Sequence, residues 1–220
     1  MRIGYASLRY AVKRLAVLLP LLVIAQAAPA AAEPLRLVVL GDSLAAGYGL
    51  AETDSFTVRL QQALEEAGEE VVVHNAGVSG DTTAGGLARL DWAFADGADA
   101  ALVELGANDM LRGIDPASSR ANLDAILARL GERGIPVLLA GMRAPQNLGA
   151  DYVAAFEGMY PELAQAHGAL LYPFFLEGVA GEAGLNQEDG MHPSADGVDV
   201  IVAAILPDVL ALLERARAGS

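Results

Sequence analysis

Three short segments of the sequence carry the residue types of a nucleophilic hydrolase. Ser43 stands in the string GDSL at 41–44, on a turn directly after an apolar run. A serine hydroxyl is a weak nucleophile unless a neighbouring base removes its proton. His192 is the candidate base, because Asp189 precedes it by three residues and can hold its Nδ1 proton. Asn108 follows a later apolar run and offers an amide that can donate to a developing negative charge.

Other roles for Ser43 are open at this level. A serine after Gly-Asp can cap a helix. Gly41, Gly47 and Gly49 follow a predicted strand, as in a phosphate-binding loop, but the glycine spacing of the known nucleotide motifs is absent. The chain also has no lysine after residue 13 to contact a phosphate. The G-x-S-x-G elbow is absent around both Ser43 and Ser79, so a serine hydrolase here has another architecture.

The histidines differ in their surroundings. His74 ends an apolar run and is interpreted as structural, and His167 is predicted at a helix C-terminus, where a cation suits the helix dipole. His192 alone has a carboxylate nearby in a Gly/Pro/Asp loop. Taken by itself, the pair Asp189/His192 is equally compatible with a surface loop that leads into a helix.

Gly80 and Asn108 each have an ordinary interpretation as turn residues. Their alternative role is to donate hydrogen bonds to an oxyanion, Gly80 from its backbone N–H and Asn108 from its side chain. No one of these positions is decisive alone, but their order along the chain is informative.

Taken in order, Ser43, Gly80, Asn108 and the pair Asp189/His192 resemble the SGNH hydrolase superfamily, also called the GDSL esterases and lipases. The resemblance covers essentially all of the chain after residue 32. Bacterial arylesterases and periplasmic acyl-CoA thioesterase/lysophospholipase enzymes are the most similar branch, on the strings SGDT (79–82), GLARL (86–90), VELGAND (103–109) and YPFF (172–175).

The resemblance implies that Ser43 is the nucleophile, His192 the base and Asp189 its orienting carboxylate. The oxyanion donors would be the Ser43 N–H, the Gly80 N–H and the Asn108 amide. It implies no cofactor and no metal, and a small-molecule ester or thioester as substrate, with lysophospholipids included. The alternative is a carbohydrate or peptidoglycan O-acetylesterase, which uses the same catalytic parts. A catalytically inactive binding module on this fold would lack the nucleophile or the base, and both are present.

Further residues are expected to support the site. Asp42 is interpreted as a buried polar tie for the turn, and Asp109 as a brace for Asn108. The groove for the acyl chain is expected from the loops after the third and fourth strands, at Met110, Leu111, Met142 and Pro145.

The elements that must position these residues alternate along the chain. The pattern predicts strands at 35–40, 70–74, 100–105, 137–140 and 169–172, and helices at 57–67, 82–94, 116–133, 152–167 and 195–217, with Pro161 kinking or splitting the fourth helix. Such alternation predicts an α/β fold, a three-layer α/β/α sandwich with a parallel sheet of about five strands; in the resembling family this fold is flavodoxin-like. The candidate segments follow strands or precede the last helix, so they can meet at one sheet edge.

Residues 1–32 are predicted to be a secretory signal peptide. Four basic residues and no acid precede a short apolar core at 15–24, and small residues follow, with cleavage expected after Ala32 or Ala30. An uncleaved N-terminal anchor is the alternative. Residues 33–220 then form one SGNH hydrolase domain, periplasmic or secreted and without stable membrane insertion.

The charge of residues 33–220 limits the partners. They contain 10 Arg against 28 acids, a net charge of −18. This balance argues against nucleic acid and against an anionic membrane as electrostatic partners. The chain has no cysteine, which excludes disulfides and a thiol nucleophile.

Overall fold

The computed structural model describes residues 33–219, so the predicted signal peptide lies outside the described residues. A sheet of five parallel strands confirms the predicted fold class. The strands lie in the order β2-β1-β3-β4-β5. Their bounds are β1 Leu35–Gly41, β2 Val71–Gly77, β3 Ala100–Glu104, β4 Val137–Ala140 and β5 Leu170–Tyr172.

The burial of each strand follows from its place in the sheet. The central strands β3 and β4 are buried along their whole length, as expected for parallel strands covered on both faces. The edge strand β2 mixes buried and exposed positions and extends to Gly77, three residues beyond the predicted end at His74. Its polar end resembles a loop in sequence, and pairing with β1 makes it a strand.

The helices form two groups. Their bounds are α1 Ser43–Ala46, α2 Phe56–Glu66, α3 Thr83–Ala88, α4 Leu90–Ala93, α5 Ala107–Leu111, α6 Pro116–Glu132, α7 Ala150–His167 and α8 Ala195–Ala218. Helix α2 packs against α8, and α6 packs against α3 and α7, which gives a helical layer on each side of the sheet. Within residues 33–219, no helix combines the length and the apolar character that a membrane span requires.

Two helical predictions need correction. The predicted helix at 82–94 is broken at Arg89 into α3 and α4. Helix α7 continues through Pro161, so of the two predicted effects of this proline the split is wrong. The short helices α1 and α5 were not predicted, because four or five residues carry no periodic signal.

Three strands end together at the carboxyl edge of the sheet. Gly41 of β1 pairs with Gly77 of β2 on one side and with Glu104 of β3 on the other. A Cβ on Gly41 would lie 2.6 Å from the Ala45 Cβ and 2.7 Å from Glu104 Oε2. Only glycine therefore allows α1 to fold back this closely against the end of β3.

Candidate active site

Ser43 lies on the turn between β1 and α1. Asp42 is the N-cap of α1, because its Oδ1 accepts a hydrogen bond from the Leu44 N–H at 3.0 Å. Ser43 is the first residue of the helix and is 8% exposed. The capping role that the sequence left open for Ser43 thus belongs to Asp42, and the serine hydroxyl is available for another partner.

That partner is His192, which lies 149 residues further along the chain. Ser43 Oγ is 2.9 Å from His192 Nε2, and His192 Nδ1 is 2.6 Å from Asp189 Oδ2. With its Nδ1 proton donated to Asp189, the ring leaves Nε2 free to accept the Ser43 proton. A hydroxyl, an imidazole and a carboxylate are therefore within hydrogen-bond distance of one another, in the order that acyl transfer by a serine requires.

Asp189 is held by the loop that carries it. Its Oδ1 accepts hydrogen bonds from the N–H groups of Met191 at 2.9 Å and His192 at 3.0 Å. The His192 N–H, the His192 ring and the Met191 N–H lower the pKa of Asp189 to about 2. The carboxylate is thus ionised at any pH near neutrality and can stabilise a cationic imidazole.

Three N–H groups at this edge of the sheet have no acceptor among the described residues. Two are the backbone N–H groups of Ser43 and Gly80, and the third is the second N–H of the Asn108 amide. Free N–H donors beside a nucleophile are what an oxyanion needs. The structure therefore brings the three predicted donors to the same strand ends as Ser43.

The turn at 78–81 sets the direction of the Gly80 N–H. The Asp81 N–H donates to the Val78 carbonyl at 3.0 Å, and Gly80 has a φ of +82° at the third position of this turn. This is the type II geometry, in which a side chain at that position would be strained. Arg112 adds a hydrogen bond from Nη2 to the Gly80 carbonyl at 2.5 Å.

Asn108 is oriented by the residue next to Ser43. Its Nδ2 donates to Asp42 Oδ2 at 2.8 Å. Burial raises the pKa of Asp42 to about 6, against the opposing hydrogen bonds from Leu44 and Asn108. The interpretation of Asp42 as a buried tie agrees with its zero exposure. Above pH 6 its ionised oxygens therefore hold both α1 and the Asn108 amide.

A second buried carboxyl group lies beneath the same turn. Glu104 is fully buried, and its Oε2 accepts from the Asp42 N–H at 3.2 Å. Burial, followed by the charge of Asp42, raises the pKa of Glu104 well above its usual range. Sequence reasoning missed this residue, although an acid at the end of an apolar run such as 100–105 is a signal that could have found it.

The predicted brace between Asp109 and Asn108 is replaced by a different network. Asp109 accepts hydrogen bonds from the Thr83 N–H at 2.8 Å, the Thr83 hydroxyl at 2.5 Å and the Ser119 hydroxyl at 2.8 Å. Asp109 thus joins α5 to the starts of α3 and α6. It supports Asn108 through the backbone of α5 and makes no described contact with its side chain.

The other histidines lie away from Ser43. His74 on β2 has its Nδ1 3.4 Å from Arg36 Nη2, and burial followed by the Arg36 charge lowers its pKa. His167 ends α7, with its Nε2 2.7 Å from Asp124 Oδ1. Both positions agree with the structural interpretation of these residues.

The four expected acyl-groove residues differ in accessibility. Leu111 is 59% exposed and Pro145 is also exposed, so both can meet a ligand. Met110 is half-buried and packs against the core. Met142 is 3% exposed and belongs to the hydrophobic core, which leaves it little surface to offer a substrate.

An aromatic ring that the sequence could not place contacts the candidate base. The Tyr48 ring lies 4.7 Å from the His192 ring between centroids, and Tyr48 is 54% exposed. Trp92 is more exposed, on α4, which leads into the start of β3 and thus toward the opposite edge of the sheet. Among the described residues, no group of three or more acids and histidines is arranged to hold a metal ion.

The fold and this geometry define the class of protein. It has a single parallel sheet between helices, and the carboxyl edge of that sheet carries a serine, a histidine and a carboxylate in hydrogen-bond contact. Residues 39–200 match the GDSL-like Lipase/Acylhydrolase family. The chain is 40% identical to Esterase TesA of Pseudomonas aeruginosa over 80% of this chain and 89% of that protein. It is 38% identical to Thioesterase 1/protease 1/lysophospholipase L1 of Escherichia coli K12 over 73% of this chain and 76% of that protein.

Solved structures agree with these relatives. The SGNH-hydrolase family esterase AlinE4 is 48% identical, with a TM-score of 0.70 over 82% of this chain and 97% of that one. The chain therefore belongs to the GDSL-like lipase/acylhydrolase family, and it is a carboxylic ester hydrolase. Small-molecule esters are its class of substrate.

Proposed function

We propose that Ser43 is the nucleophile of this ester hydrolase, with His192 as general base and Asp189 as the carboxylate that orients it. The observation that carries the proposal is the continuous hydrogen-bond path from Ser43 Oγ through the His192 ring to Asp189. The Ser43 N–H, the Gly80 N–H and the Asn108 amide are proposed as the oxyanion donors.

The reaction follows from this geometry in two halves. Ser43 Oγ attacks the carbonyl carbon while His192 Nε2 takes its proton, and the three donors stabilise the oxyanion that forms. His192 then protonates the departing alcohol or thiol, which leaves an acyl group on Ser43. Water attacks this acyl-enzyme with His192 as base again, and the acid departs as Ser43 regains its proton.

The proposed substrates are carboxylic esters, with acyl thioesters and lysophospholipids as further substrates. The names of the relatives support this range, since they include an esterase and a thioesterase/lysophospholipase. An exposed Leu111 supports an apolar acyl chain in the groove after β3. O-acetylated carbohydrate or peptidoglycan is the second candidate, and the exposed Tyr48 beside His192 favours it, because aromatic rings stack on sugars.

A substrate panel tests both candidates. The chain without residues 1–32 is assayed on p-nitrophenyl esters of increasing length, acyl-CoA, lysophosphatidylcholine and acetylated xylan or peptidoglycan, with Ser43→Ala as control. We expect hydrolysis of aryl and acyl esters that is lost in the control. Activity confined to acetylated polymers would support the second candidate, and a Ser43→Ala variant near the wild-type rate would overturn the assignment of the nucleophile.

Covalent labelling provides a second test. A serine-directed phosphonate should modify Ser43, and mass spectrometry of the digested protein identifies the site. A modification on Ser79, the serine next to Gly80, would assign a different nucleophile.

The proposed location is the periplasm or the exterior of the cell, with residues 1–32 removed as a signal peptide. The basic start, the apolar core and the alanine-rich end of this segment support the proposal. N-terminal sequencing of the exported protein should begin at residue 33, or at residue 31 if Ala30 precedes the cut. An intact N-terminus in a membrane fraction would favour the anchor.

A further inference from the structure

Arg89 joins the two chain segments that carry the backbone donors of the proposed oxyanion hole. Its guanidinium makes three hydrogen bonds: from Nε to Asp81 Oδ2 at 2.5 Å, from Nη1 to the Ala76 carbonyl at 2.6 Å and from Nη2 to the Gly41 carbonyl at 2.9 Å. The side chain is only 15% exposed, as is that of Asp81. Arg89 is therefore largely buried, with each of its three guanidinium nitrogens in a hydrogen bond, and it does not form an ordinary surface ion pair.

The three acceptors lie close in sequence to the proposed oxyanion donors. Gly41 is two residues before Ser43, and Asp81 directly follows Gly80. Ala76 is at the end of β2, where the chain enters the turn that carries Gly80. The Val78 N–H also donates to the Gly41 carbonyl at 3.1 Å. This one oxygen therefore accepts a hydrogen bond from the turn that carries Gly80 and another from Arg89.

Two glycines in α3 lower the stability of this helix but leave room for the contacts of Arg89. Gly85 and Gly86 stand in the first turns of α3, where glycine costs about 1 kcal/mol relative to alanine. A Cβ on Gly85 would collide with the Asp81 carboxylate, and a Cβ on Gly86 would lie within clashing distance of Leu105. The two glycines thus leave space for the acid that Arg89 binds and for the packing of α3 on the end of β3.

Arginine suits this position because its planar group offers five donors in fixed directions, whereas lysine offers one small charged group. Here each guanidinium nitrogen reaches a different acceptor, whereas all three donors of a lysine lie on one nitrogen. Arg89 contacts neither Ser43 nor His192 among its described partners, so any effect on the reaction must pass through Gly41 and Asp81.

We propose that Arg89 is a positioning residue that sets the separation between the Ser43 N–H and the Gly80 N–H. The inference rests on the proposed function of those two groups. A displacement of either donor weakens its bond to the oxyanion in the transition state, where the charge is greatest, more than its bond to the ground-state carbonyl. Loss of Arg89 should therefore lower kcat and leave KM little changed.

The test compares Arg89→Lys and Arg89→Met with Arg120→Met as the matched control, since Arg120 on α6 pairs with Glu162 on the surface. Active sites are counted by phosphonate titration, and kcat and KM on p-nitrophenyl butyrate are given per intact site. We expect a loss of about 10²-fold in kcat for both Arg89 variants, comparable to one lost oxyanion donor, and wild-type values for the control. Affinity for a trifluoromethyl ketone, a mimic of the tetrahedral intermediate, should fall by a similar factor.

A second pair of measurements separates positioning from folding. Guanidinium salt added to Arg89→Ala should restore part of kcat, and Asp81→Asn should lower kcat in the same direction by a smaller factor. Variants with fewer intact sites but a normal kcat per site would overturn the inference and leave a stability role. If Ser43→Ala retained activity, the proposed nucleophile would fail instead, which distinguishes the two failures.

Discussion

The half of the candidate site that carries the proposed nucleophile, Ser43, and the half that carries the proposed base, His192, are built in opposite ways. Ser43 and Asp42 lie on a buried turn between β1 and α1, with exposures of 8% and 0%. His192 and Asp189 lie on a surface loop, with side-chain exposures of 18% and 34%. The proposed nucleophile is therefore part of the core, and the proposed base is brought to it by a surface loop.

The two halves are also held by different contacts. The turn that carries Asp42 and Ser43 is held by side chains from other elements. Glu104 comes from β3, and Arg89 comes from the residue between α3 and α4. The loop that carries Asp189 and His192 is held mostly by hydrogen bonds among its own residues. A long-range hydrogen bond comes from Gln187, whose Nε2 donates to the Tyr48 carbonyl at 2.8 Å. Changes on the nucleophile side should thus affect both stability and activity, whereas changes on the base side should affect activity with little loss of stability.

The largest effect would come from the atoms that join the halves. Ser43→Ala and His192→Ala should each reduce kcat by about 10⁶-fold, and the double variant should lose no more, because the two act as a unit. Steady-state kinetics on p-nitrophenyl butyrate measures this. Multiplied losses in the double variant would mean that the two residues act in separate steps.

Asp189→Asn should reduce kcat by about 10³–10⁴-fold, because an amide that donates to the ring would hold the wrong tautomer of His192. The thermal unfolding midpoint should stay close to that of the wild type, since Asp189 is exposed and its partners are local. Calorimetry checks this second half of the expectation. A large drop in the midpoint would contradict the contrast between the two halves.

Asn108→Ala should reduce kcat by about 10²–10³-fold with a smaller change in KM, as for the loss of one oxyanion donor. It should also destabilise the protein by about 1–3 kcal/mol, because the buried Asp42 oxygen loses its partner. Kinetics and urea unfolding on the same variant measure both effects. A change confined to KM would indicate that Asn108 positions the substrate instead.

The last expected effect is on stability alone and concerns its dependence on pH. The pKa of Asp42 is about 6 in the folded protein against an ordinary 3.8, so the folded state holds a proton that the unfolded state releases between these values. The free energy of unfolding should therefore fall by about 3 kcal/mol as pH rises from 3.8 through 6. Asp42→Asn removes this titration, and urea unfolding from pH 4 to 7 should show the difference between variant and wild type growing with pH. If the difference in the free energy of unfolding stayed constant with pH, the pKa of Asp42 would be near its ordinary value, as expected for a better-solvated carboxylate.

Much of the fold and site could be predicted from local patterns. The apolar runs of β1, β3 and β4 are continuous because these strands are buried on both faces, and each was located within one or two residues. Edge strand β2 was found but ended too early, since its polar end is a strand only through pairing with β1. Met142 was expected at a groove and is buried in the core, because a residue type alone does not tell which way a loop turns.

The sequence by itself determined the chemical groups, their order along the chain and the class of enzyme, because these depend on residue types and short spacings. Only the tertiary structure decided which of Asp42 and Ser43 caps α1, and that the Gly41 carbonyl is bound by Arg89, 48 residues away. It also placed Glu104 beneath the nucleophile and the Tyr48 ring against His192. Such contacts join segments that are distant in the chain, and their geometry depends on the packing of the whole sheet edge.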